Sequence, residues 1–155
     1  MPNAKTRMVM AAGTAGGMAE VIWILVAASV LDADAWSVAR AVGSTLVPSL
    51  VSSNLAPWMG LLIHFLLSIV VATLFFQLFG RRLRPTFLFL AALVSLAAVW
   101  AINFLILLPL INPGFVSLLP HPVTLISKLL FGLAMAAVLI RKGNSIKKSI
   151  GGHLE

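Results

Sequence analysis

The sequence contains no cysteine, and this absence excludes several kinds of chemistry. Disulfide bonds, thiol redox reactions, cysteine-ligated zinc and iron–sulfur clusters all require cysteine. The sequence also lacks a close histidine pair of the His-x-x-x-His kind and a nucleophile elbow for serine-based hydrolysis. We therefore find no catalytic constellation, and the residue pattern favours a protein without enzymatic activity.

Charged residues are scarce, at 10% of the 155 residues, whereas 61% of the residues are hydrophobic. A soluble domain has about 25% charged and about 45–50% apolar residues, so this chain could not present a polar surface to water. The composition predicts a single domain, residues 1–155, that lies in a lipid bilayer. We expect no cleavable signal peptide, because the first apolar run is longer than the apolar region of such a peptide.

Four apolar runs are long enough to cross a bilayer, which takes about 20 helical residues. They predict an all-α, integral membrane four-helix bundle with helices at about 8–31, 56–79, 86–108 and 123–140. Four prolines predict a non-helical connection between the third and fourth crossings, because proline interrupts the helical hydrogen-bond ladder. These prolines are Pro109, Pro113, Pro120 and Pro122.

Nine of the eleven Lys and Arg residues lie before the first apolar run, between the second and third, or after the fourth. The positive-inside rule assigns these ends of the runs to the cytoplasm. The nine residues are Lys5, Arg7, Arg81, Arg82, Arg84, Arg141, Lys142, Lys147 and Lys148. The rule predicts that both termini are cytoplasmic. The same placement indicates that the net charge of +7 meets anionic lipid headgroups and not nucleic acid.

Residues 34–54 lie between the first two crossings and are too polar to span a bilayer. One apolar stripe on a short helix would contain Trp36, Val38, Ala39, Val42 and Leu46. We interpret the segment as an interfacial helix and loop on the outer surface, with Trp36 at headgroup level. A soluble extracellular loop is the alternative, because the amphipathic period is imperfect.

Glu20 lies near the middle of the first crossing, about 18 Å from its inner end by helix rise. A carboxylate at that depth costs several kcal/mol unless it is neutralised, paired or hydrated. One interpretation is a site for a proton, a cation or a substrate. The alternative is a protonated glutamic acid that forms a hydrogen bond between helices.

Each of the other crossings also carries one polar side chain: His64, Asn103 and Lys128. A bundle gains most by turning these and Glu20 inward, because each is costly facing lipid. This predicts a polar cavity, open to the outer side, that binds a ligand or conducts protons. The alternative is three unrelated roles: Lys128 reaching the outer headgroups, His64 bonded to a carbonyl, and Asn103 joining two helices.

Haem b between helices usually requires two axial histidines. The candidates on the outer side are His64 and His121, since His153 lies in the cytoplasmic tail. A metal site formed by these two histidines with Asp32 or Asp34 is a related alternative. His121 lies in the proline-rich connection without helical support, and this placement disfavours both sites.

Gly13 and Gly17 are one helical turn apart on a face of small residues in the first crossing. Such faces let helix backbones approach closely. Gly132 and Ala136 repeat this spacing in the fourth crossing. We expect these residues to pack helices within the bundle. The alternative is that they mediate self-association as a homo-oligomer or docking on a larger membrane complex.

Three stretches carry a resemblance to a known family. Residues 12–20 are rich in Gly and Ala and end at Glu20, and residues 64–70 read His-Phe-Leu-Leu-Ser-Ile-Val. The third stretch, residues 108–132, contains the proline-rich link. All three resemble the YagU-like group of small bacterial inner-membrane proteins. The resemblance covers most of residues 12–142 and implies a four-crossing bundle in a bacterial inner membrane. Lys128 and Leu133 depart from that pattern, which has an acid and a polar residue there.

Three classes of function follow from the sequence. We favour a non-enzymatic accessory or structural subunit of an oligomer or larger membrane complex, because this role requires no unobserved chemistry. The second class is a small transporter or channel that uses Glu20, His64, Asn103 and Lys128. The third is a haem- or metal-binding membrane protein that uses His64 and His121.

Overall fold

The computed structural model describes residues 3–50, 52–80 and 82–151, and it leaves out the side chains of Leu50 and of residues 144–151. The described chain is helical and contains no β-strand. The predictions for some basic groups lie outside the described residues. These groups are Arg81, His153 and the side chains of Lys147 and Lys148.

Four helical segments are long and apolar enough to cross a membrane, with lengths of 27, 25, 27 and 23 residues. They are Ala4–Val30, Ala56–Gly80, Pro85–Ile111 and His121–Gly143. About 20 residues suffice for a crossing. The prediction of an all-α chain with four such helices is therefore confirmed.

We number the helices in chain order, as α1 Ala4–Val30, α2 Ala35–Leu46, α3 Ala56–Phe75, α4 Pro85–Ile102, α5 Leu108–Ile111, α6 Pro113–Val116 and α7 His121–Gly151. A 3₁₀ turn at Pro48–Leu50 follows α2. Two π-helical turns, Phe76–Gly80 and Asn103–Leu107, follow α3 and α4. We call the end of the bundle that carries α2 the outer end, in keeping with the predicted topology.

The proline-rich connection is helical over more of its length than the sequence predicted, since α5 and α6 lie within it. Pro113 occupies the first turn of α6, where no intrahelical partner awaits the missing N–H. Pro109 lies in the first turn of α5, directly after the π turn Asn103–Leu107. Before α5, the Leu108 N–H donates to the Asn103 carbonyl across a π turn. This wider turn lets the third long segment continue to Ile111.

The turn between α1 and α2 reverses the chain through Asp32, which has a left-handed φ of 53°. Asp34 then caps α2, because its side chain accepts hydrogen bonds from the Trp36 N–H at 2.9 Å and the Ser37 hydroxyl at 2.7 Å. The Ser37 bond, followed by the Trp36 bond, lowers the pKa of the Asp34 carboxyl below its ordinary value. The cap therefore starts α2 directly after the turn that ends α1.

The four long helices pack in the order α3, α1, α7, α4. In the part of the chain that the structure describes, α3 and α4 make little direct contact, and α4 instead meets the Phe76–Gly80 turn at the inner end. The inner half is filled by a cluster of buried side chains that includes Met8, Phe75, Leu88, Met135 and Leu139. The two edge helices therefore meet at the inner end and leave space between them at the outer end.

Gly13 and Gly17 are the points where α1 lies closest to α3. A Cβ atom at Gly13 would lie 2.7 Å from the Cα atom of Ile69, and one at Gly17 would lie 2.8 Å from the Ser68 hydroxyl. Real Cβ atoms almost never come this close to other atoms. Only glycine therefore permits this helix spacing.

Glycines also set two other helix contacts. Gly132 of α7 faces the Ala92 carbonyl of α4, and a Cβ atom on Gly132 would lie 3.2 Å from that carbonyl oxygen. At the crossing of α2 and α3, a Cβ on Gly60 would overlap the Ala39 carbonyl oxygen, and one on Gly43 would overlap that of Ala56. The second contact holds α2 tightly against the outer half of α3.

We predict that Gly13→Leu destabilises the bundle by about 1–3 kcal/mol, because the new side chain overlaps the backbone of α3. Thermal or denaturant unfolding in detergent micelles would measure the loss. Gly143→Leu is the matched control, since a Cβ there meets no atom within 4 Å and leucine favours a helix. Equal melting of the two variants would show that the α1–α3 spacing does not depend on Gly13.

Candidate functional site

A cavity of about 550 Å³ occupies the outer half of the bundle, in the space left between α3 and α4. Its volume falls within the range of about 300–1,000 Å³ that is typical of small-molecule sites. Side chains from α1, α3, α4 and α7 form its walls, and α2 contributes apolar residues such as Val38 and Val42. Most of the lining is apolar.

All four polar residues singled out in the sequence line this one cavity: Glu20, His64, Asn103 and Lys128. Each comes from a different long helical segment. By helix rise they lie about 10–15 Å from the outer ends of their helices, so they form one polar layer. Apolar residues of α3, α4 and α7, namely Val71, Leu96 and Phe131, line the cavity on the inner side of that layer.

Glu20 and Lys128 form an ion pair across the contact between α1 and α7, with the Lys128 ammonium donating to Oε1 of Glu20. The Ser127 hydroxyl lies 3.3 Å from the same oxygen and 2.7 Å from the Thr124 carbonyl oxygen. Glu20 is only 8% exposed. Its second oxygen, Oε2, is buried and has no hydrogen-bond partner among the described residues.

The ion pair explains why both charges tolerate an apolar environment. An isolated charge in such surroundings costs several kcal/mol, and a close partner of opposite sign offsets part of that cost. Lys128 turns towards Glu20, in contrast to the alternative in which it reaches the outer headgroups. Its side chain is only 18% exposed. The two charges cancel, so the pair adds no net charge to the polar layer.

His64 lines the same cavity as the pair and contacts α1 directly. Its Nε2 atom is 3.1 Å from the Gly17 carbonyl oxygen. A carbonyl only accepts, so we assign the proton to Nε2, and in the neutral ring Nδ1 then remains an acceptor. Ser68 donates to the His64 carbonyl at 2.7 Å. The contact matches the alternative of a carbonyl-bonded histidine, yet the ring also lines the cavity.

Asn103 belongs to the π turn that follows α4. Such turns often occur at functional sites, because the extra residue redirects side chains relative to a regular helix. The Asn103 carbonyl accepts the Leu108 N–H, and the residue lines the cavity. The polar residue of the third crossing thus lies where the helix is locally widened.

Several polar residues of the site were not recognised from the sequence. Thr124 accepts a hydrogen bond from the indole N–H of Trp100 at 2.9 Å and joins α7 to α4. Ser127 and Ser68, described above, also line the cavity. A signal was present, because Ser127 and Lys128 lie three and four residues after Thr124 and each can share a helix face with it.

The described residues contain no group of three or more His, Cys, Asp or Glu that could hold a metal ion. His121 is the first residue of α7, so the prediction that it lacks helical support is wrong. Its ring packs edge-on against Trp100, with ring centroids 5.9 Å apart. It is not among the residues that line the cavity, whereas His64 is. The geometry therefore gives no support to a haem or metal site built on these two histidines.

The outer side of the cavity is bounded by α2 and by the segment from α5 to α7. Phe104, Phe115 and Leu119 contribute apolar surface there. A hydrogen bond of 3.0 Å from the Asn112 amide to the Thr45 hydroxyl ties the end of α2 to the junction of α5 and α6. The cavity therefore has apolar surface on both sides of the polar layer, and most of that surface lies on the outer side.

Comparisons with models of protein families, with curated proteins and with solved structures each found no match.

We predict that Glu20→Gln and Lys128→Met each destabilise the protein, by up to about 3–5 kcal/mol, because each leaves one buried charge without its partner. The double variant should regain at least half of the summed loss, since no unpaired charge remains. Unfolding in detergent would measure all three variants, with the exposed Lys142→Met as the control. Additive losses in the double variant would contradict a direct interaction.

Proposed function

We propose that this protein is a non-enzymatic, four-pass protein of a bacterial-type plasma membrane that binds a small amphiphilic molecule in its outer half. The single observation that carries the proposal is the convergence of Glu20, His64, Asn103 and Lys128 on one mostly apolar cavity. An apolar pocket with a few convergent polar groups is the usual form of a small-molecule site. This role corresponds to the ligand-binding core of a small transporter or of a membrane receptor subunit.

The length and apolar character of four helices support membrane insertion. The described basic residues that lie beside these helices favour cytoplasmic termini, since Lys5, Arg7, Arg82 and Arg84 all fall at the end opposite α2. The same residues would meet anionic lipid headgroups. The bacterial inner membrane rests on the resemblance to the YagU-like group and stays a prediction.

A purely structural subunit is less consistent with this architecture. Such a bundle would gain stability by filling its outer half with apolar side chains, because cavities cost free energy. It would also gain by omitting the buried pair, since well-packed apolar residues often stabilise as much or more. Retention of both features is typical of a binding site. Membership in an oligomer or larger complex is compatible with this role.

The arrangement of the helices suggests how a ligand would enter. The edge helices α3 and α4 have little direct contact in their described residues, and α4 instead contacts the Phe76–Gly80 turn at the inner end. The side chains of Leu66 in α3 and of Leu105 in the π turn after α4 are more than half exposed. We propose that the ligand enters from the lipid, between α3 and α4.

We predict that the protein purified from its host membrane carries a bound small molecule, detected by native mass spectrometry. Val42→Phe/Val99→Phe, which narrows the cavity from α2 and α4, should lose the molecule. Val70→Phe/Val94→Phe should retain it, because both valines are at least half exposed and do not line the cavity. Equal retention by both double variants would contradict binding in the cavity.

The topology can be tested by single-cysteine labelling, because the sequence has no cysteine of its own. A membrane-impermeant maleimide should label Asn54→Cys and Ser117→Cys in intact cells. It should label Thr6→Cys and Thr86→Cys only after permeabilisation. All four positions are exposed, so accessibility within the fold is not limiting. Labelling of Thr6→Cys and Asn54→Cys from the same side would exclude the proposed orientation.

A further inference from the structure

The two oxygens of the Glu20 carboxylate differ in their hydrogen-bond donors, and this difference bears on what the cavity binds. Oε1 receives the Lys128 ammonium and lies near the Ser127 hydroxyl, whereas Oε2 has no partner in the described part of the chain. A buried carboxylate oxygen without a donor is costly, because its hydration has been lost and nothing replaces it. Glu20 itself lines the cavity.

Oε2 is buried beneath the cavity surface, so a ligand reaches the carboxylate only after the carboxyl group rotates. The terminal torsion of glutamate is broad, so a modest rotation of the carboxyl group turns either oxygen towards the cavity at low cost. A ligand group that donates one hydrogen bond would then supply the donor that the second carboxylate oxygen lacks among the described residues. The Lys128 ammonium has three N–H donors, so it can also donate to an oxygen on the same ligand.

The charge of the layer restricts the ligand further. Glu20 and Lys128 cancel each other, and the remaining lining contains no Asp, Glu, Lys or Arg. A cationic or anionic ligand would leave one net charge in an apolar cavity, which is unfavourable. A neutral group leaves the balance intact and still forms hydrogen bonds to both members of the pair.

Most of the apolar lining lies outward of the polar layer, and this favours one orientation of the ligand. The polar groups of the cavity lie in a layer about 10–15 Å below the outer helix ends, and apolar residues of α2 and of α5 to α7 bound the space towards the outer surface. A membrane lipid of the outer leaflet has the opposite arrangement, with its headgroup outermost. The site therefore suits a molecule whose polar end points towards the middle of the membrane.

We propose that the cavity binds a neutral, largely apolar molecule with one hydroxyl group, and that the hydroxyl donates to Glu20 while its oxygen accepts from Lys128. This deepens the proposed function and rests on it. The apolar part of the ligand lies under α2, beside Trp36, which lines the same cavity.

The test uses quenching of tryptophan fluorescence by four bromine-labelled probes in detergent micelles. The probes are 11-bromoundecan-1-ol, 1-bromoundecane, 11-bromoundecanoate and 11-bromoundecylammonium, compared at equal mole fraction in the micelle. With the hydroxyl at Glu20, the terminal bromine of the alcohol lies near Trp36. Saturable quenching by the alcohol is expected at a mole fraction about tenfold or more below that of the other three, because a hydrogen bond to a charged group confers this preference.

The variant Glu20→Leu/Lys128→Leu keeps the apolar cavity but removes the pair, and it should fold because apolar residues can replace a buried ion pair. In this variant the alcohol should lose its preference over 1-bromoundecane. The exposed variant Lys142→Met should keep the preference in full. Persistence of the preference in the leucine variant, or tighter binding of either charged probe, would overturn the inference.

The experiment also separates this inference from the proposed function. If the parent protein and Val42→Phe/Val99→Phe are quenched equally and without saturation by every probe, the cavity binds nothing and both proposals fail. If all four probes saturate the parent at similar mole fractions, the cavity binds amphiphiles but does not select a hydroxyl. That result would overturn the inference and leave the proposed function standing.

Discussion

The ion pair between Glu20 and Lys128 is the interaction on which the outer half of the structure depends. Neither charge is stable alone in apolar surroundings, so the two helices that carry them must be neighbours. Small residues make this possible, because Gly16 lets α1 lie against Phe131 of α7 while Gly13 and Gly17 hold its other side against α3. The pair thus determines which faces of α1 and α7 meet.

The two halves of the bundle have different roles. The inner half is filled by residues such as Phe75, Leu88 and Met135, which are at most 5% exposed, and it holds the edge helices α3 and α4 together. In the outer half these helices separate, and α2 bounds the resulting cavity. A packed inner half below a divided outer half would let a ligand enter without disturbing the core. This division connects the fold to the proposed binding of a small molecule.

Much of the fold could be predicted from the sequence, because bilayer thickness and the cost of exposed polar groups restrict the options. The four long helices follow from apolar run length alone, and the stripe around Val38 and Val42 indicated a short helix. The continuation past Pro109 could not be predicted, since it depends on a π turn at Asn103 that spacing does not reveal. The partner of Lys128 could not be predicted either. The position of the lysine in the sequence does not show whether it contacts lipid headgroups or pairs with Glu20.

The most direct test of the account is the distance between the Glu20 carboxyl carbon and the Lys128 ammonium nitrogen in lipid bilayers. Solid-state NMR can measure it through the dipolar coupling between labelled glutamate carbon and labelled lysine nitrogen, with Lys128→Met to assign the signal. The account predicts a coupling that corresponds to a direct ion pair, at a carbon–nitrogen distance of about 3–4 Å. The absence of any coupling at Glu20, with the Lys128 nitrogen instead coupled to lipid phosphate, would contradict it.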